Sequence, residues 1–126
     1  MLNTPPTYAI YMAGLCMKWL KAQGGVEGIE KQNIEKAKLL YDVLDDSSFY
    51  RAPVVKKYRS RMNVPFTTPS PELDAEVVKA AAAQDMVSLK GHRLVGGIRA
   101  SIYNAMPSEG VKKLAEFMKK FEMENK

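Results

Sequence analysis

The stretch Gly91-His92-Arg93-Leu94-Val95-Gly96-Gly97-Ile98-Arg99-Ala100-Ser101-Ile102-Tyr103-Asn104 holds the only histidine of the chain, together with two arginines and three glycines. A guanidinium is a planar fork of N–H donors that grips a carboxylate or phosphate through two parallel hydrogen bonds, and a neighbouring imidazolium adds a further charged donor. Glycine at 91, 96 and 97 permits positive φ and lets backbone N–H groups approach a ligand closely. The chemistry implied is anion recognition at two places, His92 with Arg93 and, beyond the glycine pair, Arg99. Gly-His-Arg and Gly-Gly-x-Arg are weak motifs by themselves.

Composition narrows the alternatives. One histidine and one cysteine, Cys16, give no zinc-type ligand set and no intrachain disulfide. No metal site is expected. A reducing, cytoplasmic setting is the default, since neither a signal peptide nor an apolar run able to span a bilayer is present. The formal charge is +5, with Arg51, Lys56, Lys57, Arg59 and Arg61 in a strip that has no acid before Glu72. That strip reads as a solvated edge. A basic nucleic-acid-binding domain is the rival reading, but no such motif and no interleaved aromatics accompany it.

The elements that must position the recognition stretch follow from periodicity. Thr4 reads as an N-cap with Pro5 at the first helical position, and Tyr8, Tyr11, Met12, Leu15, Cys16, Trp19 and Leu20 form a packing stripe until Gly24-Gly25. A second helix is predicted from about 26 to 44, with Ile29, Ala37, Leu40, Tyr41 and Leu44 inward and Asn33 interrupting; Lys36 falls on its solvated surface. Phe49-Tyr50 with Val54-Val55 suggests a strand broken by Pro53, and 62–66 another, with Pro65 at an edge or strand end. Ser70 caps a third helix with Leu73, Val77, Ala80 and Ala81 inward. Val87–Leu89 and Ile98–Ile102 are read as strands flanking the recognition turn. A last helix opens at Pro107-Ser108 and buries Val111, Leu114, Ala115, Met118 and Phe121. The order is that of an α/β domain, with helices packed on one face of a small, mainly antiparallel or mixed sheet.

The run Lys90-Gly91-His92-Arg93-x-Val95-Gly96-Gly97-x-Arg99-Ala100-Ser101-x-Tyr103-Asn104-Ala105 resembles the signature near the C-terminus of the phosphoserine aminotransferase family, class V, fold-type I, dependent on pyridoxal 5'-phosphate. Asn3-Thr4-Pro5-Pro6-Thr7-Tyr8-x-Ile10-Tyr11 and Arg59-Ser60-x-Met62-Asn63-Val64-Pro65-Phe66 resemble two further family blocks, in the same order. The resemblance implies that residues 1–126 form the small C-terminal domain, residues 1–24 being the linking segment and helix from the large domain. It implies that Arg99 holds the substrate α-carboxylate and that His92 and Arg93 bind the substrate phosphate. Asn3 and Thr4 would reach the cofactor phosphate of the neighbouring subunit of a homodimer. The reaction implied exchanges an amino group between glutamate and 3-phosphohydroxypyruvate, giving O-phosphoserine and 2-oxoglutarate in serine biosynthesis.

Nothing in the sequence resembles the neighbourhood of the lysine to which the family attaches its cofactor, so the 126 residues alone are expected to be inactive. Two readings stay open: a C-terminal piece of the enzyme, or a relative without the cofactor domain. A non-enzymatic anion-binding or interaction module is the alternative function. Neither nucleic acid nor membrane is expected as a partner.

Overall fold

The computed structural model describes residues 2–126. Its elements run α1 (Thr7–Ala22), α2 (Gly25–Asp46), β1 (Asn63–Phe66), α3 (Pro71–Ala82), β2 (Ile98–Ser101) and α4 (Ser108–Asn125), with one 3₁₀ turn at Lys56–Tyr58. The chain divides after Gln32 into two compact units.

In the second unit β1 and β2 pair antiparallel, with Asn63 opposite Ser101 and Phe66 opposite Ile98. The period of two puts Val64, Phe66, Ile98 and Ala100 on one face, where all four are buried. There they join one cluster with Leu40 of α2, Val77 of α3 and Val111, Leu114, Met118 and Phe121 of α4. The reverse face carries the half-buried Asn63, Pro65, Arg99 and Ser101. The sheet therefore has a sealed side and a half-buried side. The α4 stripe is buried as its spacing indicated, with Phe117 added to it.

Ser70 caps α3 as expected, its Oγ accepting from Leu73 N at 3.3 Å with Pro71 in the first position. Pro65 also behaves as its chemistry requires. The residue opposite it, Arg99, donates its N–H to Leu89 O at 2.7 Å, away from β1. A missing donor at position 65 thus leaves no gap in the ladder.

Only two of the expected strands form. Phe49 and Tyr50 donate their N–H groups to Ser47 Oγ, at 3.0 and 2.8 Å, and their rings go into the core. Tyr50 meets Phe49 at 5.0 Å and Phe66 at 5.6 Å, both edge-on. A single bridge, Arg51 to Thr67, is what remains of that strand, since Pro53 has no N–H to extend it. Ser88, at φ 64°, breaks the extended run 87–89 and leaves an isolated bridge from Lys90 to Ile98.

In the first unit α1 begins later than its cap signal suggested. The flanking residue is Pro6, without a side-chain cap, and Thr4 lies short of the helix. Pro6 disfavours helical dihedrals at Pro5, so helix cannot start there. The stop is as expected, with Gly24 and Gly25 at φ 89° and 70°. The α1 stripe does not pack: no residue of this helix is buried, and Tyr8 is 76 % and Trp19 42 % exposed. No described helix is long and apolar enough to cross a membrane.

Candidate anion-binding site

The recognition turn is closed at its base by Gly91 N donating to Gly97 O at 2.9 Å. Inside it, Val95 N and Gly96 N converge on His92 O at 2.9 and 2.8 Å. Leu94 N donates to His92 Nδ1 at 3.3 Å. With Nδ1 accepting, the N–H of a neutral imidazole sits on Nε2, which remains available as a donor.

Gly91 and Gly97 are required by the fold itself. A Cβ on Gly91 would stand 2.0 Å from Gly96 O, and one on Gly97, at φ 68°, would stand 2.9 Å from Phe66 O. The chain crosses itself too closely for any side chain at 91 and 97, while Gly96, at φ 74°, faces open space, and both Gly96 and Gly97 take the positive φ expected of them. His92 and Arg93 are exposed. With Lys90 they line a cleft of about 510 Å³ whose other wall is Pro71, Asp74 and Val78 of α3. Asp74 Oδ1 already accepts from the N–H and hydroxyl of Thr68, at 2.7 and 2.8 Å. The cleft therefore combines a lysine, an arginine and an imidazole with one carboxylate that is already engaged.

Arg99 lies elsewhere, on the half-buried side of the sheet, and is not among the residues of that cleft. Arg99 is half-buried, yet its Nε is fully buried and has no hydrogen-bond acceptor. Buried donors are nearly always paired in folded proteins, and a cationic one is costly to leave bare. The other orphan among the described residues, Asn33 Oδ1, belongs to an amide whose nitrogen already bonds Asn104. Asn3 and Thr4 are exposed and lie in the first unit, whereas His92, Arg93 and Arg99 lie in the second.

Two features escaped sequence reasoning. Lys36, expected on a solvated surface, is 1 % exposed. Its ammonium donates to the carbonyls of Tyr103 at 2.9 Å, Met106 at 3.0 Å and Asn104 at 3.4 Å. Burial lowers its pKa from the ordinary lysine value. The signal was present, because Ile29, Asn33, Lys36, Ala37 and Leu40 recur at i, i+4, i+7, i+8 and i+11 along the buried stripe. The basic strip is also no plain solvated edge. Arg59 forks onto both oxygens of Asp45 at 2.9 and 2.7 Å, and Lys56 reaches Asp45 at 2.9 Å. The hydrogen bonds from Arg59, then Lys56, hold the Asp45 carboxyl well below the usual carboxylate range. Part of the strip's charge is neutralised inside the protein.

Residues 1–114 match the model of the aminotransferase class-V family. The chain belongs to that family. This class-V chain is 62 % identical over 122 residues to the phosphoserine aminotransferase of Nitrosomonas europaea, covering 97 % of the chain and 33 % of the relative. It is 56 % identical over 124 residues to the Bacillus cereus phosphoserine aminotransferase, covering 98 % and 34 %. The fold superposes on the solved phosphoserine aminotransferase of Bacillus circulans subsp. alkalophilus with a TM-score of 0.95 at 47 % identity, over 98 % of this chain and 35 % of that one. The enzyme from Trichomonas vaginalis, solved with its PLP bound, gives 0.88 at 41 % identity, over 94 % and 34 %. The chain spans about a third of the length of the relatives it matches. Among the described residues no cluster of His, Cys, Asp or Glu could hold a metal ion.

Proposed function

We propose that the protein carrying this chain is a phosphoserine aminotransferase, and that residues 1–126 are its small C-terminal domain, with residues 1–24 the linking segment and helix of the large domain. The uncovered apolar α1 supports that division, since a helix with apolar residues all round is built to be covered. The observation that carries the functional reading is the orphaned Nε of Arg99. A planar, permanently charged fork, half-buried on the sheet, suits an α-carboxylate, the group common to glutamate and phosphoserine.

Pyridoxal phosphate, when bound, supplies the electron sink for cleavage at the amino-acid Cα. The first unit suits the phosphate end of that cofactor. No side chain caps α1, so the positive end of its dipole is open, and Asn3 and Thr4 stand just ahead of it in the chain. In the proposed homodimer these two residues serve the neighbouring subunit. Arg99 then fixes the substrate's carboxylate end, while His92 and Arg93 hold the phosphate end from the separate cleft. Two-point anchoring holds the phosphorylated substrate at both ends and so distinguishes it from one that lacks the phosphate. No residue of this chain moves the proton, so the 126 residues alone are expected not to transaminate.

The test is a chimera in which this chain replaces the matching third of the Nitrosomonas europaea enzyme. Arg99→Lys keeps the charge and loses the fork, a loss of about 1.5–3 kcal/mol for a charged hydrogen bond. That predicts a fall in kcat/KM of roughly ten- to a hundredfold for glutamate and phosphoserine alike. A loss confined to one substrate would contradict the role assigned to Arg99.

A further inference from the structure

The segment Tyr103-Asn104-Ala105-Met106 directly follows the strand that bears Arg99, and neither anion site uses it. Three of its carbonyls, those of Tyr103, Asn104 and Met106, converge on one point, which the Lys36 ammonium fills. An –NH₃⁺ group has three donors and no acceptor, so the match is complete. Asn33, on the same face of α2, adds a bond from its Nδ2 to Asn104 Oδ1 at 2.8 Å. Converging carbonyl dipoles repel one another, and a buried cation among them is held only while all three stay in place. The strand end is tied from the other side as well. Ile102 N donates to Met62 O at 2.8 Å, and the hydroxyls of Ser101 and Tyr103 donate to Asn63 Oδ1 at 3.2 and 3.3 Å.

We propose that Lys36 is a positioning residue for Arg99: by gathering the three carbonyls it fixes the turn on which β2 ends, and so the register from which the Arg99 fork meets its carboxylate. This rests on the role given to Arg99 above. Lys36 itself is buried in the fold and touches no substrate. Its effect is on ground-state placement of the carboxylate and belongs in KM rather than kcat.

In the chimera, Lys36→Met keeps the stem and removes the donors. KM for glutamate and phosphoserine should rise together by roughly tenfold, equivalent to about 1.4 kcal/mol. kcat should stay within about twofold. Lys36→Ala should show the same rise, and n-propylammonium, which restores the missing carbons and N–H donors, should reverse it. Tetramethylammonium, a cation without N–H groups, should not. If the lysine variants fail to fold, Asn33→Ala removes only the Asn104 bond and should raise both KM values by about threefold.

Hydrogen exchange reads the turn without turnover. In the 126-residue chain the Met106 amide donates to Tyr103 O at 2.9 Å, and Lys36→Met should speed its exchange by roughly tenfold. Unchanged KM values in a folded variant, a loss confined to kcat or to one substrate, recovery with tetramethylammonium, or an unchanged Met106 exchange rate each overturn the proposal. A parent chimera that does not transaminate counts against the functional reading instead, and the exchange rate then still decides whether Lys36 holds the turn.

Discussion

Helices α1 and α4 present similar apolar stripes in sequence and opposite fates in structure. In α4, Val111, Leu114, Ala115, Met118 and Phe121 are buried, and lysines and glutamates occupy the other face. In α1, Tyr8, Tyr11, Met12, Leu15 and Trp19 are all exposed, and Ile10 and Met17 add apolar surface off the stripe. The only charges on α1 are Lys18 and Lys21. A one-sided stripe marks a helix that finishes a core from outside, whereas an all-round apolar helix marks one that is covered on several sides. Exposed apolar surface of that extent is what an interaction surface presents.

That contrast is open to breakage by mutation. Met118→Ala, at a fully buried position of α4, should destabilise the chain by about 2–5 kcal/mol in a denaturant titration. A smaller loss would mean that the second unit's core is not what holds it together. Next in size is the cap: Ser70→Ala should cost about 1 kcal/mol, whereas Thr4→Ala, which caps nothing, should cost no more than a few tenths. Comparable losses would restore Thr4 to the helix end. Smallest is Tyr8→Ser in the 126-residue chain, expected within about 0.5 kcal/mol because the side chain is 76 % exposed there. In the chimera the same change should cost roughly 2–4 kcal/mol if α1 is covered by the larger domain. Equal values in the two settings would remove the argument for that domain assignment.

The helices of the second unit were legible because burial and periodicity agree there. Ser70-Pro71 signalled the start of α3, and the α4 stripe needed only the addition of Phe117. The strands were less legible, since their failure lies in single residues. Ser88 adopts a left-handed φ that nothing in its type announces, and Ser47 captures the N–H groups that Phe49 and Tyr50 would have given to a ladder. Thr4 misled because the helix-starting value of one proline is cancelled by the next. Lys36 misled because charge was weighed above position. A lysine on the inward stripe belongs inside when backbone carbonyls supply its acceptors.

In the recognition stretch the residue types suggested an anion and two separate positions for it. The structure adds a physical difference between those positions. His92 and Arg93 are exposed on a turn whose glycines let the backbone cross itself, while Arg99 is half-buried on a strand with an unsatisfied donor. Under the proposed function, a partly desolvated fork suits the carboxylate common to both substrates. Under the same proposal, an exposed cationic cleft suits the phosphate that only one of them carries.

The most direct measurement of that division is kcat/KM for phosphoserine and for glutamate in the chimera bearing His92→Ala or Arg93→Ala, set beside Arg99→Lys. Loss of a charged contact to phosphate, about 1.5–3 kcal/mol, predicts that phosphoserine falls by roughly ten- to a hundredfold. Glutamate should change by less than about threefold, while Arg99→Lys depresses both. Equal losses for glutamate and phosphoserine in the His92 and Arg93 variants would contradict the account and assign the turn to folding instead of phosphate selection.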